Sequence, residues 1–150
     1  MSDPLSFDDE ARAGMLCHLV VGELVSMART GNGLRTGHLV ELAHIWMNAN
    51  GARCDWQERV ATARMAADLA PDVLAASSLT TEKMLVQLFT DGWRLDYRRP
   101  VVREIPDMCA ARLRCSPERW RPSMLRSHEQ SLPLNLPPLP QVAFKKAQSP

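Results

Sequence analysis

Apolar residues in the first ninety positions recur at intervals of three and four, the spacing of helices with a buried face. Over residues 15–27 they cover more than one face, which predicts a central, largely buried helix. Ser6 suits the N-cap of this helix, and the acidic residues 8–10 suit its first turn. We expect the helix to end near Thr30, because a Gly-Asn-Gly sequence follows at 31–33.

Capping signals predict two further helices. Thr36 can cap the second helix, and the glycine Gly51 closes it. Asp55 and Glu58 have the spacing of a capping box, which opens a third helix running to about Leu69.

The helical pattern continues to residue 92. Pro71 suits the start of a short helix, since proline is tolerated in a first turn. Thr80 or Thr81 begins another helix, which the Asp-Gly pair at 91–92 stops. Residues 6–92 are therefore predicted to form an all-helical body.

The pattern changes after this body. Residues 93–98 alternate between apolar and polar positions, as a half-buried strand does, and 101–105 are a second extended candidate. The two segments predict a small β-hairpin near 93–105, although neither Asn-Gly nor Asp-Gly stands at the turn. Pro106 then suits the start of a short helix.

Prolines recur too often in residues 131–150 for a helix, so we predict an extended or disordered Pro-rich tail there. The patterns before this tail predict a mainly α fold, which is a compact bundle of about five to seven helices with the small hairpin. We expect residues 1–130 to form a single helical domain. It would consist of the acidic helical body, 6–92, and an Arg-rich segment, 93–126.

Composition agrees with a folded domain, since 45% of the 150 residues are hydrophobic. Four cysteines are too few for a secreted disulfide scaffold, and Cys109 and Cys115 lack the spacing of a zinc site. Residues 1–10 are acidic, unlike a signal peptide, and the apolar run over 15–27 is too short to span a bilayer. We therefore expect a cytoplasmic protein without a membrane partner.

The net charge of +1 conceals a division along the chain. Residues 1–93 hold seven basic and twelve acidic residues, whereas 94–126 hold nine arginines and four acids. Fifteen of the eighteen basic residues are arginine, which suits bidentate contacts to phosphate or carboxylate. The division is typical of a surface for nucleic acid or an acidic partner, or of two halves that neutralise each other within the fold.

The segment 108–120 has the layout of a helix-turn-helix. The small Ala110 stands where two helices would cross, and Ser116 begins a second helix that would enter the major groove. Arg114 occupies the turn position where glycine is usual, and Pro122 shortens the second helix, so an ordinary helical hairpin is the alternative. The candidate base and phosphate contacts are Arg112, Arg114, Arg119 and Arg121.

A winged helix is an overlapping interpretation. Residues 74–79 and 80–91 would form its helix pair and 93–105 its wing. The second helix exposes one cation and the acidic Glu82, which favours instead a plain helix packed on a small sheet. The candidate phosphate contacts are Arg94, Arg98, Arg99 and Arg103.

Catalytic and metal-binding patterns are incomplete. Glu41 and His44 have the i, i+3 spacing of di-metal bundles, but no second Glu-x-x-His exists. Cys17 and His18 are adjacent on a helix and point about 100° apart, so they cannot form a nucleophile–base pair. We predict no catalytic residue, no metal and no cofactor.

The tail offers a different docking element. Its prolines favour polyproline II, which suits a partner's groove, although the composition favours a solvated linker over a docking element. The candidate docking residues are Pro137, Pro140 and Phe144.

These patterns favour a non-enzymatic regulatory binding protein over an enzyme. The first hypothesis is nucleic-acid binding through the helix-turn-helix-like segment 94–126. The alternative is a protein-binding adaptor or inhibitor that acts through a helical surface or the Pro-rich tail. An enzyme centred on Cys17, Glu41 and His44 ranks third. The sequence leaves the oligomeric state and the partner open.

Overall fold

Five helices and a two-stranded antiparallel sheet form the part of the chain that this computed structural model describes, residues 9–90 and 94–114. Helix accounts for 79% of it, which confirms the mainly α prediction. The elements are α1 (Asp9–Thr30), α2 (Thr36–Asn50), α3 (Trp56–Ser77), α4 (Thr81–Leu88), β1 (Phe89–Thr90), β2 (Arg94–Leu95) and α5 (Pro100–Leu113).

Helix α1 is the centre of the bundle and packs against each of the other four helices. Its residues from Ala13 to Val21 are all buried, as expected from an apolar pattern that extends round the helix. The predicted end at Thr30 is confirmed. The predicted cap Ser6 lies outside the described residues.

Helix α1 also has the length and composition of a membrane span. Its 22 residues contain a window of mean hydropathy 1.3, so the helix is longer than the apolar run that the sequence suggested. Within the fold, 67% of that window is buried, which is typical of the core helix of a bundle.

Two glycines of α1 allow α2 to approach closely. A Cβ built on Gly14 would lie 2.7 Å from Cζ2 of Trp46, and one on Gly22 would lie 2.9 Å from Cδ1 of Leu42. Larger residues at these positions would push α2 away. The tight α1–α2 contact therefore depends on missing side chains.

The predicted end of α2 and the predicted start of α3 are confirmed. Gly51 closes α2 in the left-handed conformation, with φ of 64°. The N-cap of α2 is Arg35 rather than Thr36, and its side chain makes no capping hydrogen bond. At α3 the carboxylate of Asp55 accepts a hydrogen bond from the backbone N–H of Glu58 at 2.8 Å.

Helix α3 continues through Pro71, so the predicted break after Leu69 is wrong. Pro71 removes one backbone hydrogen bond but lies on the exposed side of the helix. Ala70 and Val73 extend the buried face of α3 past the proline. Burial of this face against α1 holds the segment in one helix to Ser77.

The predicted small sheet is present, but β2 pairs with β1, which precedes it, and not with the segment 101–105. Phe89 pairs with Leu95, and Thr90 pairs with Arg94. The segment 101–105 instead lies in α5, because Pro100 occupies the first helical turn and the buried residues follow a helical spacing. Those buried residues are Val101, Val102, Ile105 and Cys109.

Helix α5 contains Pro106 in its interior rather than at its start, which corrects the prediction. It ends at Leu113, and Arg114 follows with φ of 57°. This is the left-handed conformation in which many helices end. The second helix of the predicted helix-turn-helix would lie outside the described residues, so the motif stays a prediction.

Candidate functional site

The predicted arginine contacts separate into two groups. The turn cluster, defined as Arg94, Arg98, Arg99 and Arg103, surrounds the connection between β2 and α5. The second group lies at the other end of α5, about 14 Å along the helix axis from Arg103. It consists of Arg112 and Arg114. The candidates Arg119, Arg121, Pro137, Pro140 and Phe144 lie outside the described residues.

A buried carboxylate pairs with two arginines of the turn cluster, Arg98 and Arg99. Asp96 is 6% exposed, and Arg98 donates to it through Nε at 2.9 Å and Nη2 at 3.2 Å. The backbone N–H of Arg98 donates to the same carboxylate at 3.1 Å. Nε of Arg99 lies 3.4 Å from Oδ2 of Asp96.

The position of Asp96 is fixed by the body of the protein. Its backbone N–H donates to the carbonyl of Leu88 at 2.8 Å, and its carbonyl accepts the N–H of Arg99 at 3.1 Å. The turn is therefore tied to the end of α4 on one side and to the start of α5 on the other.

The electrostatics of the pair keep both groups charged. Hydrogen bonds from the Arg98 side chain lower the pKa of Asp96, against the opposing effect of burial. The Arg98 side chain is 84% exposed, and its Nη1 atom has no hydrogen-bond partner among the described residues. Arg98 thus uses one edge of its guanidinium internally and presents the other to solvent.

The other two arginines of the turn cluster are exposed. Neither Arg94 nor Arg103 makes an ion pair within the described residues. Tyr97, which directly follows Asp96, is 40% exposed. The exposed Glu104 is the nearest acidic neighbour along α5, so the turn itself is the most basic part of this surface.

The arginines at the end of α5 are less well organised. Nη2 of Arg112 lies 3.9 Å from Oδ2 of Asp68, and both side chains are more than half exposed. An ion pair of this kind contributes little to stability. Among the described residues, it is the one arginine of the segment that pairs with an acid of the helical body, and no described acid of the body pairs with the turn cluster.

The candidate catalytic residues are dispersed. Cys17 is fully buried. Its pKa is raised mainly by the hydrogen bond with the Cys109 thiol and also by burial. Burial lowers the pKa of His18 to about 4. Glu41 and His44 are exposed on α2. Neither buried residue is accessible to a substrate.

Glu23, a buried acid of α1, has a structural role. Its carboxylate accepts a hydrogen bond from the backbone N–H of Leu34 in the α1–α2 loop. A Cβ on Gly33 would lie 2.7 Å from that carboxylate. Across residues 9–90 and 94–114, no group of three or more His, Cys, Asp and Glu residues could hold a metal ion.

The sequence analysis missed Asp96. In an Asx turn the carboxylate of an Asp accepts a hydrogen bond from the backbone N–H two residues later, as Asp96 does from Arg98. The preference of Asp for such turns was the signal that the sequence offered. The resulting arrangement offers several guanidinium donors around one fixed carboxylate, which suits a phosphate or a carboxylate ligand.

Comparison with family models, curated proteins and solved structures finds no match to this chain.

Proposed function

We propose that this protein is a non-enzymatic regulatory protein that binds nucleic acid through the turn cluster. The observation that carries the proposal is the pairing of Arg98 with buried Asp96, which orients an exposed guanidinium. An oriented arginine loses less side-chain entropy when it binds phosphate than a free one does.

The neighbouring residues support the same chemistry. Arg94 and Arg103 can contact phosphate without breaking an ion pair with a described residue. The exposed ring of Tyr97 can stack on an unpaired base. Phosphate contacts of this kind supply affinity with little sequence information.

The test is binding of the full chain to labelled single-stranded and duplex oligonucleotides, measured by fluorescence anisotropy between about 50 and 200 mM salt. We expect affinity to fall steeply as the salt concentration rises. The Arg94→Ala/Arg103→Ala double variant should bind more weakly, with a log–log salt slope shallower by about two.

The matched control is Arg35→Ala/Arg64→Ala, which removes the same charge from exposed arginines of the helical body. It should bind as the wild type does. An equal loss in both double variants would show a nonspecific charge effect, and binding that is absent at low salt would refute the proposal. Recovery of the protein from a secreted or membrane fraction would contradict the cytoplasmic location that we also propose.

Exposed apolar side chains favour a protein-binding adaptor as the second candidate. Trp56 is 61% exposed and Ile45 is 45% exposed, and such residues are enriched at protein interfaces. A partner that co-purifies with the wild type should be lost on Trp56→Ala and kept on Arg94→Ala/Arg103→Ala. The reverse result would assign the partner to the turn cluster.

A further inference from the structure

A cleft of about 450 Å³ lies between the C-terminal part of α2 and the loop 51–54 that follows it. Three potential soft-metal ligands line it, namely His44, Met47 and Cys54. None of the interactions proposed above involves this cleft.

The two sulfur atoms are already in contact. Sγ of Cys54 donates to Sδ of Met47 at 3.4 Å. With metal–sulfur bonds of about 2.3 Å, one ion can bridge two sulfur atoms at this separation. A small opening of the pair, to about 4 Å, gives the angle of trigonal coordination with the same bond length.

His44 supplies a third donor from the same side of α2. It precedes Met47 by three residues, so the two side chains are neighbours on the helix surface. His44 is exposed and lines the cleft, and its imidazole can therefore turn toward the sulfur pair.

Opposing electrostatic effects act on a cation in the cleft, whose lining includes the positively charged Arg53. The cleft lies at the C-terminal end of α2, where the partial negative charge of the helix favours cations. Against this, Nη1 of Arg59 lies 3.7 Å from Sδ of Met47 and 3.5 Å from the carbonyl of Cys54. A positive guanidinium beside the sulfur atoms disfavours a divalent ion more than a monovalent one.

We propose that His44, Met47 and Cys54 form a binding site for a soft monovalent metal ion, Cu(I). Thiolate, thioether and imidazole are the ligands that select this ion. On binding, the S–H bond of Cys54 breaks, its sulfur bonds to Cu(I), and the proton passes to solvent. No electron is transferred.

Proton release gives the site a pH dependence. While the thiol of the free protein is protonated, Cu(I) affinity should rise about tenfold for each unit of pH. Above neutral pH, where imidazole is already neutral, a donor set without the thiol would show no such slope.

The test is an anaerobic titration of the reduced full chain with Cu(I) against a competing chelator, repeated with Ag(I). All proteins carry Cys115→Ser, so that the remaining thiols are Cys54 and the fully buried Cys17 and Cys109. We expect one ion per chain. X-ray absorption at the copper edge should show sulfur and nitrogen neighbours, and sulfur should predominate.

Three variants test the ligands. Cys54→Ser should abolish tight binding, and Met47→Leu and His44→Gln should each weaken it by about tenfold or more. Met27→Leu, which changes a partly buried methionine outside the cleft, should bind as the background protein does. Circular dichroism checks that each variant keeps its helix content, and Cys54→Ala replaces the serine variant if that variant does not fold.

The proposal is overturned if the background protein fails to compete for Cu(I), or if Cys54→Ser keeps its affinity. It is also overturned if Cys54 alone matters and Met47→Leu and His44→Gln bind normally, because this result describes an isolated thiol. None of these outcomes depends on nucleic-acid binding.

Discussion

His18 is a titratable side chain in the interior of the bundle. It is 1% exposed, and burial lowers its pKa to about 4. In an unfolded chain a histidine has a pKa of about 6.5. As the pH falls from 6.5 to 4, the unfolded state therefore takes up a proton that the folded state does not.

We expect this difference to lower the free energy of unfolding by up to about 3 kcal/mol between pH 6.5 and pH 4. The His18 contribution should be constant above and below that range. Chemical denaturation at several pH values checks this expectation. His18→Gln should remove this component of the pH dependence. The control variant His38→Gln changes an exposed histidine and should retain it. Identical pH profiles for the wild type and His18→Gln would contradict the assignment.

Asp96 shows how one residue organises a surface. Four arginines close together in sequence would repel one another, and the buried carboxylate that pairs with Arg98 and Arg99 reduces that repulsion. The same carboxylate fixes the direction of Arg98. A surface that looks simply basic in the sequence therefore has one ordered arginine and exposed neighbours.

The α1–α2 contact shows how an element depends on the absence of side chains. Gly14 destabilises the interior of α1 by about 1 kcal/mol relative to alanine, because glycine has a low helix propensity. The indole of Trp46 occupies the space that a Cβ would take, at 2.7 Å. Close packing of the two helices offsets this cost.

We expect Gly14→Ala to lower the free energy of unfolding, because overpacking costs about 1–3 kcal/mol and exceeds the gain in propensity. Gly37→Ala in α2 is the matched control. A Cβ there meets nothing within 4 Å, so this variant should be neutral or up to about 1 kcal/mol more stable. Thermal and chemical denaturation measure both. A Gly14→Ala protein as stable as Gly37→Ala would show that the helices separate at little cost.

At the scale of the whole molecule, the fold brings two distant thiols together. Cys17 in α1 and Cys109 in α5 are 0% exposed and share a hydrogen bond. Thiol reactivity requires both the thiolate and access, and burial reduces both.

We expect an alkylating reagent to modify Cys17 and Cys109 only when the protein unfolds, while the half-buried Cys54 reacts in the native state. Mass spectrometry of peptides after timed labelling checks the order of modification. Denaturant should remove the difference between the three thiols. Rapid native labelling of Cys109 would show that α5 opens readily from the bundle.

The sequence determined the features that depend on neighbouring residues. The glycine at 51 and the caps Asp55 and Thr80 act over three or four residues, so the helix ends near them could be predicted. The continuous apolar pattern of α1 likewise determined its central position.

The tertiary structure decided the features that depend on burial. Pro71 alone suggests a break, but packing of α3 on α1 keeps the helix intact. The β-branched residues at 101–105 suggest a strand, but their helical spacing places them in the core as part of α5. Local preference is a fraction of a kcal/mol per residue, and burial of an apolar side chain is worth about 1.5–3 kcal/mol.

The candidate sites show the same division. The sequence identified the arginines of the turn cluster, because a concentration of charge is visible in one dimension. It could not identify the buried state of Asp96 or the contact between the sulfur atoms of Met47 and Cys54. Both depend on which surfaces the packed helices cover and which they leave open, and only the folded chain determines that.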